Sequence, residues 1–323
     1  MPEFQLIQTY FSRQPVHRAD VDIGIGDDAA LVSPAEDMQL AVAADVLNEG
    51  VHFPAGTDAR AIGHKALAVN LSDMAAMGAE PSWFTLTLSM PGEDKDWLEG
   101  FCQGLYELAS RYNVQLIGGD TVSGPLSIGI QVCGYVPRGT ALMRNGARVG
   151  DNVFVTGTLG DAAAGLALHD QKLCMDDSSA SLLLNRLEFP EPRVEAGMIL
   201  RDCATAAIDI SDGLVADLGH ICEMSGCGAT IDAERVPASE SFTRFVEAGG
   251  DRRLQLSFGD DYELCFTSEL DEVELNQRLD DAGCTVTCIG TITGSSGIRL
   301  TDHNGKEVGF DETGFEHFGN RTT

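Results

Sequence analysis

Five times along this chain an apolar segment runs into an aspartate: GIGDDAAL at 24–31, LAVAAD ending at Asp45, NLSD ending at Asp73, VQLIGGDTVSG at 114–124 and AIDISDGL at 207–214. Apolar runs of this kind become strands or helices that bury their side chains. Each aspartate is therefore delivered to the rim of a core by a rigid element. A glycine-rich turn after a strand usually cradles phosphate with its backbone N–H groups. Here a carboxylate stands where a phosphate would be repelled, so the pattern calls for cations that neutralise whatever the glycines allow to approach.

Periodicity around these aspartates predicts two blocks of alternating strands and helices. Phe4, Ile7 and Phe11 are spaced for a first amphipathic helix. MQLAVAADVL reads as a strand, residues 58–79 as a helix rich in Ala, Leu and Met, and SWFTLTLSM (82–90) as an alternating strand. Trp97, Phe101, Leu105, Leu108 and Tyr112 recur at helical spacing, and VQLIG and SIGIQVCGYV supply two more strands, the first ending in a glycine turn. Turn formers in PRGTALMRNGARVGD (137–151) mark the crossing into a second block. There NVFVTGTLGDAAAG and AAIDISDGLVADLGHICEMSG each read as strand, turn and helix, and YELCFT and CTVTCIGTI as strands separated by a helical DEVELNQRLDDAG. The expected architecture is α/β or α+β in two domains, 1–138 and 139–323.

Charge narrows the partners. Fifty acidic residues against twenty-one basic ones give a formal net charge of -29, which repels nucleic acid and anionic membranes. The nine cysteines are odd in number and form no CxxC pair, as expected of reduced, mostly buried thiols. MPEFQLIQTYF lacks the basic start and long apolar core of a secretory leader, and no apolar run reaches membrane-spanning length. A soluble, cytoplasmic protein is the expectation.

Familiar nucleotide sites are absent from the pattern. The only Gly-Lys pair, at 305–306, lacks the P-loop around it, and no V-A-I-K, H-R-D or D-F-G is present. GIGDDA matches G-x-G-x-x-A by letter, but two carboxylates would face the pyrophosphate. His and Cys are scattered without zinc spacing. Hard oxygen donors are abundant instead: Asp27, Asp28, Asp45, Asp73, Asp120, Asp209 and Asp212. Carboxylates with little basic charge beside them suit Mg²⁺, which takes one or two carboxylates and shares substrate phosphates. Local structural roles are also open to them. Asp27 and Asp28 suit an Asx turn, and Ser211 with Asp212 an N-cap and a first-turn acid.

Taken in order, GIGDDAAL, KALAVNLSDMAAMGAEP, QLIGGDT, VTGTLGDAAAGLA, AIDISDGL and DDYELCFT resemble the thiamine-monophosphate kinase family, within the aminoimidazole-ribonucleotide-synthetase-like superfamily of ATP-dependent enzymes. The resemblance spans nearly the whole chain. It implies a two-domain fold whose N-terminal sheets join into a barrel in a homodimer. It also implies phosphorylation of thiamine monophosphate to thiamine diphosphate by ATP, with several Mg²⁺ ions. By motif match Asp28, Asp45, Asp73, Asp120 and Asp209 become metal ligands, with Asp212 a further one. Gly119, Arg144 and Ser211 become ATP contacts, with Asp120 and Arg144 at the chemistry. His52, Asp260 and Phe315 fall where the family contacts thiamine phosphate.

Three positions depart from the family pattern. Ala43 and Ala44 replace a hydroxyl pair before Asp45, Asp260 stands for a Glu, and Phe315 for a Trp or Tyr. Local roles are open here too: His52 as a loop histidine, Phe315 as a pin for the C-terminus, Arg144 as a partner for a surface carboxylate. Two other functions fit parts of the pattern. One is a different ATP-dependent member of the superfamily, such as aminoimidazole-ribonucleotide or selenophosphate synthetase. The other is a non-catalytic divalent-cation-binding protein.

Overall fold

The computed structural model describes residues 3–170 and 175–309. The chain divides into two compact units, Met1–Met74 with Ala79–Ala141, and Ala75–Gly78 with Leu142–Thr323.

The first unit opens with helix α1 (Glu3–Leu6), which widens into a π-helical turn over Ile7–Phe11. Leu6, Tyr10 and Phe11 are buried, and the Tyr106 hydroxyl donates to the Tyr10 carbonyl at 3.0 Å. A short antiparallel pair follows, β1 (Val21–Ile23) and β2 (Leu31–Val32). Next come β3 (Met38–Asn48), α2 (Ala59–Ala76), β4 (Glu80–Met90), α3 (Lys95–Arg111), β5 (Gln115–Ser123) and β6 (Ser127–Pro137). The four long strands form one sheet in the order β3-β6-β4-β5, antiparallel except for the parallel β4–β5 pair. Helix α2 starts after a run of turns and is Ala- and Leu-rich, and Leu67, Ala68, Leu71 and Ala75 are completely buried. Asp94 caps α3 by accepting the Trp97 N–H at 3.1 Å, so α3 begins where the sequence supplies an N-cap acceptor.

Strand β3 alternates, as a strand with one covered face must. Leu47 is buried, whereas Leu40, Val42 and Val46 lie 46–55% exposed. This row of branched apolar side chains sits on an edge strand, where unpaired backbone groups and exposed apolar surface coincide.

The strand carrying QLIGGDTVS does not break at its glycines. β5 runs through Gly118, Gly119 and Asp120 to Ser123 in register with β4, after a bulge opposite Phe84 and Thr85. The glycines are there for pairing. Gly119 has φ +145°, and a Cβ on it would lie 1.8 Å from the Leu86 carbonyl oxygen. The expected glycine turn is thus a close strand contact that any side chain at 119 would block.

The second unit contains β7 (Asn152–Thr156), α4 (Asp161–His169), α5 (Asp177–Glu188), α6 (Val194–Leu200), β8 (Ala206–Asp209), α7 (Leu214–Ser225) and β9 (Gly228–Asp232). It continues with α8 (Glu240–Glu247), α9 (Leu254–Ser257), β10 (Leu264–Ser268), α10 (Glu272–Leu279), β11 (Val286–Thr293) and β12 (Gly297–Thr301). The six strands lie in the order β12-β9-β11-β7-β10-β8, and only β12–β9 is parallel. Strands β7 and β10 each carry three consecutive apolar residues, 153–155 and 264–266, because both of their faces are buried. Phe154 and Phe266 stack between them with ring centroids 5.3 Å apart. One core gathers Val153, Val155, Ile208, Leu218, Ile221 and Ile289; a second gathers Ala164, Leu183, Phe242 and Phe245. Among the described residues no helix is long and apolar enough to cross a membrane.

Candidate active site

Register places the aspartates of the first unit. Asp45 on β3 pairs with Ile130, Ile130 with Leu86, and Leu86 with Gly119, so Asp45 and Gly119 end one row across the sheet. Asp120 stands in the next row, opposite Thr87, and is exposed; its Oδ1 accepts the Thr121 N–H at 2.9 Å. The row is three strand spacings wide, roughly 14 Å, so Asp45 and Asp120 lie at opposite edges of their sheet. Asp45 instead meets α2: the Asn70 side-chain oxygen accepts the Asp45 N–H at 3.2 Å, and Asp73 follows Asn70 by one helical turn. Burial pushes the Asp45 carboxyl above the usual carboxylate range. Asp28 lies in the exposed 24–29 loop, where its N–H donates to Asp27 Oδ1 at 2.9 Å.

His52 closes the turn that follows β3. Its Nδ1 accepts the Asn48 N–H at 3.0 Å, and the His52 backbone N–H donates to the Asn48 carbonyl at 3.0 Å. An accepting Nδ1 puts the proton of the neutral ring on Nε2. The ring therefore carries its donor at Nε2.

In the second unit β8 ends on Asp209, which is buried, and the chain turns through Ser211, Asp212 and Gly213 into α7. The turn is held on two sides. A single oxygen of Asp217, Oδ2, accepts the N–H groups of Ser211, Asp212 and Gly213 at 3.1, 3.1 and 3.0 Å. From the other side Asp260 N donates to the Ser211 carbonyl at 3.1 Å and Tyr262 N to the Ile210 carbonyl at 3.0 Å. Gly259 fits against this turn because it has no side chain: a Cβ there would lie 1.7 Å from the Ser211 oxygen. Asp260 and Tyr262 adopt φ +66° and +50°, strained for non-glycine residues, and the Tyr262 hydroxyl donates to Asp260 Oδ1 at 3.0 Å. Asp209, Ser211, Asp212 and Asp260 are thereby brought into one loop pair. Ser211 is not an N-cap. Gly213 occupies that position, and Asp217 satisfies the amides from inside the helix.

Two expected residues remain. Arg144 is exposed, its carbonyl accepting the Ser225 hydroxyl at 3.0 Å. Phe315 lies outside the described residues. Among the described residues no three His, Cys, Asp or Glu side chains come together closely enough to hold a metal ion by themselves.

Comparison with known proteins fits both units. Residues 26–136 match the N-terminal domain of AIR synthase related proteins, and residues 148–303 match their C-terminal domain. The thiamine-monophosphate kinase of Salmonella typhimurium is 47% identical over 319 residues, 98% of each chain. This chain belongs to the thiamine-monophosphate kinase family. A crystal structure of thiamine-monophosphate kinase from Stenotrophomonas maltophilia is 44% identical with a TM-score of 0.87, covering 95% of this chain and 98% of that one. AaThiL, complexed with AMPPCP and TMP, is 33% identical with a TM-score of 0.78, over 91% of this chain and 92% of its own.

Three acids of this thiamine-monophosphate kinase family member escape sequence reasoning. Asp217 is one; burial, with Asp209 and Asp212 nearby, pushes its carboxyl up to about 7. The others are in DDYELCFT. Asp261 is buried and accepts the Gly160 N–H at 2.9 Å, and burial pushes its carboxyl well above the usual range. Glu263, with no exposed surface, accepts from Arg186 at 2.8 Å, from Arg193 and from the Thr156 hydroxyl at 2.6 Å. Burial alone would raise its carboxyl, but the two guanidinium groups outweigh it and hold the carboxyl below the usual range. Asp261 and Glu263 together tie the TGTLGD turn to the segment that follows Asp260. The signal available in sequence was only their place inside quoted motifs.

Proposed function

We propose that the protein is a kinase that passes the γ-phosphoryl group of ATP directly to the phosphate of thiamine monophosphate, giving ADP and thiamine diphosphate. Identity of 47% to a thiamine-monophosphate kinase over the whole length supports the reaction. A relative complexed with AMPPCP and TMP supports the substrate pair. The observation in this chain that carries the reading is the 209–213 turn. Its amides are already bonded to Asp217, so it presents acidic and hydroxyl side chains in place of N–H groups. Such a turn meets a phosphate chain only with cations in between.

The donor set fits Mg²⁺. Asp28, Asp45, Asp73, Asp120, Asp209 and Asp212 offer only hard oxygens, and Mg²⁺ takes one or two carboxylates and completes its shell with phosphates and water, so no protein triad is required. When bound, the Mg²⁺ ions neutralise the two phosphate chains and stabilise the charge spread over the group in flight. Arg144 adds a fixed positive charge for the same group, and Gly119 and Ser211 contact ATP. His52, through Nε2–H, donates to the acceptor, while Asp260 and Phe315 bind the thiamine moiety.

The acceptor is a phosphate monoester with a second pKa of about 6, so it arrives at neutral pH largely as a dianion. Its oxygen bonds to the γ-phosphorus as the bond to the β–γ bridging oxygen breaks, and ADP leaves with that electron pair. No protein base has a proton to remove. This accords with a site rich in aspartate and with a histidine whose Nδ1 is already occupied.

The reading includes a homodimer in which the exposed Leu40, Val42 and Val46 row of β3 is covered as the two N-terminal sheets join in a barrel. It also assigns the enzyme to the cytoplasm, in keeping with eight free cysteines among the described residues. Direct transfer is tested with ATP made chiral at the γ-phosphorus by oxygen isotopes. A single in-line displacement inverts the configuration in thiamine diphosphate. Retention would require a phosphorylated protein intermediate and would end the direct mechanism.

A further inference from the structure

The 209–213 turn has the form of an anion-binding nest: three successive N–H groups converge at the start of a twelve-residue helix, where the helix dipole adds positive potential. In this chain the nest is filled from within. Asp217, one turn into α7 and 2% exposed, places Oδ2 at 3.0–3.1 Å from all three nitrogens. The carbonyl side of the same turn is occupied as well, by the N–H groups of Asp260 and Tyr262. With these three amides and the Ile210 and Ser211 carbonyls committed, the turn meets a ligand through the side chains of Asp209, Ser211 and Asp212. Gly213, at φ +127°, has no room for a side chain, since a Cβ would lie 2.8 Å from the Ser257 carbonyl carbon. The turn is therefore a single conformation enforced from two directions.

We propose that Asp217 is a positioning residue for metal binding: an internal anion that fills the amide nest, denies it to substrate phosphate, and fixes the turn so that Asp209 and Asp212 present their carboxylates to Mg²⁺. The proposal rests on the reading of Asp209 and Asp212 as metal ligands. A loose turn would leave each carboxylate sampling several positions, and the ordering cost would then fall on each metal-binding event. Asp217 removes that cost in advance. Charge matters as much as shape, because a carboxylate accepting three backbone amides is a charge-assisted acceptor that a neutral amide oxygen only partly replaces.

Assayed at about pH 8.5, above the value of about 7 to which burial and its acidic neighbours push this carboxyl, Asp217→Asn keeps the size of the side chain and removes the charge. The Mg²⁺ concentration for half-maximal turnover should rise at least about tenfold, while KM for thiamine monophosphate changes less than about threefold. Leu300→Ala, which opens the core of the same unit, should lower the melting temperature and leave Mg²⁺ activation where it was. A folded Asp217→Asn enzyme with unchanged Mg²⁺ activation, or an equal shift in Leu300→Ala, overturns the proposal. Asp209→Asn and Asp212→Asn separate the two layers of inference. If neither moves Mg²⁺ activation, the metal reading itself fails; if they move it and Asp217→Asn does not, only the positioning role fails. A measurement on the unmodified enzyme stands whether or not the variant folds. Without nucleotide or metal, the amide hydrogens of Ser211, Asp212 and Gly213 should exchange slowly, at rates that added ATP and Mg²⁺ change little. Rapid exchange that is suppressed only when nucleotide is added would show that the nest is free for substrate, contrary to the proposal.

Discussion

Asp73 and Asp120, proposed to share one chemical role, stand in two different settings, which makes them the sharpest residues to change. Asp73 follows Asn70 on a stretch of α2 that is nearly all small or apolar, while Asp120 stands exposed on an edge strand opposite Thr87. Neither fills a core. Asp73→Asn and Asp120→Asn should each lower Mg²⁺-dependent turnover by at least about 10²-fold, the scale of losing an electrostatic contact to the transition state, with far-UV circular dichroism unchanged. Near-normal turnover with the same Mg²⁺ dependence in both would remove them from the metal set. The aspartates themselves were legible in sequence because apolar runs ending in carboxylate are rare and were repeated. Their supports were not. Asn70 as the partner of the Asp45 amide, Asp217 as the acceptor for three amides, and His52 turned back on Asn48 depend on backbone conformation that composition and spacing leave open.

Among the elements, strands and helices long enough to show a period were readable, and the short ones were not. α6 has seven residues and α9 four, and β9 and β12 each begin on glycine and pair with one another across some seventy positions of chain. The glycines of β5 were read as a turn because glycine breaks strands on average; here the close approach to Leu86 overrides that tendency. Glu263 gives the element-scale prediction. It joins β7, through Thr156, to Arg186 of α5 and to Arg193, which precedes α6. Glu263→Gln leaves two guanidinium groups partly buried without their shared anion and should cost about 3 kcal/mol or more in urea unfolding at pH 7. The sign of its pH dependence follows from a folded-state carboxyl held below its unfolded value. Its stabilisation is complete above the unfolded glutamate pKa of about 4.3 and is lost as pH falls through the lower folded value. The stability gap between wild type and Glu263→Gln should therefore be constant from pH 7 to 5 and narrow only below about pH 4. A gap that narrows as pH rises would mean that the glutamate is protonated in the folded protein.

For the whole molecule, charge and surface pull in opposite directions. A net charge of -29 keeps copies apart, yet an edge strand exposes Leu40, Val42 and Val46 in a row. Placing a carboxylate in that row, as in Val42→Glu, should convert the proposed dimer to a monomer in sedimentation velocity, since an uncompensated charge is not tolerated in an apolar interface. An unchanged sedimentation coefficient would move the interface elsewhere. The reaction itself is decided by one measurement. Purified enzyme is given ATP, Mg²⁺ and thiamine monophosphate, and ADP and thiamine diphosphate are quantified together over time. Expected is one ADP formed for each thiamine diphosphate, with both products abolished by chelating the divalent cation and neither formed when thiamine monophosphate is omitted. ADP released without thiamine diphosphate, or turnover that survives complete chelation, would contradict a Mg²⁺-dependent transfer to thiamine monophosphate.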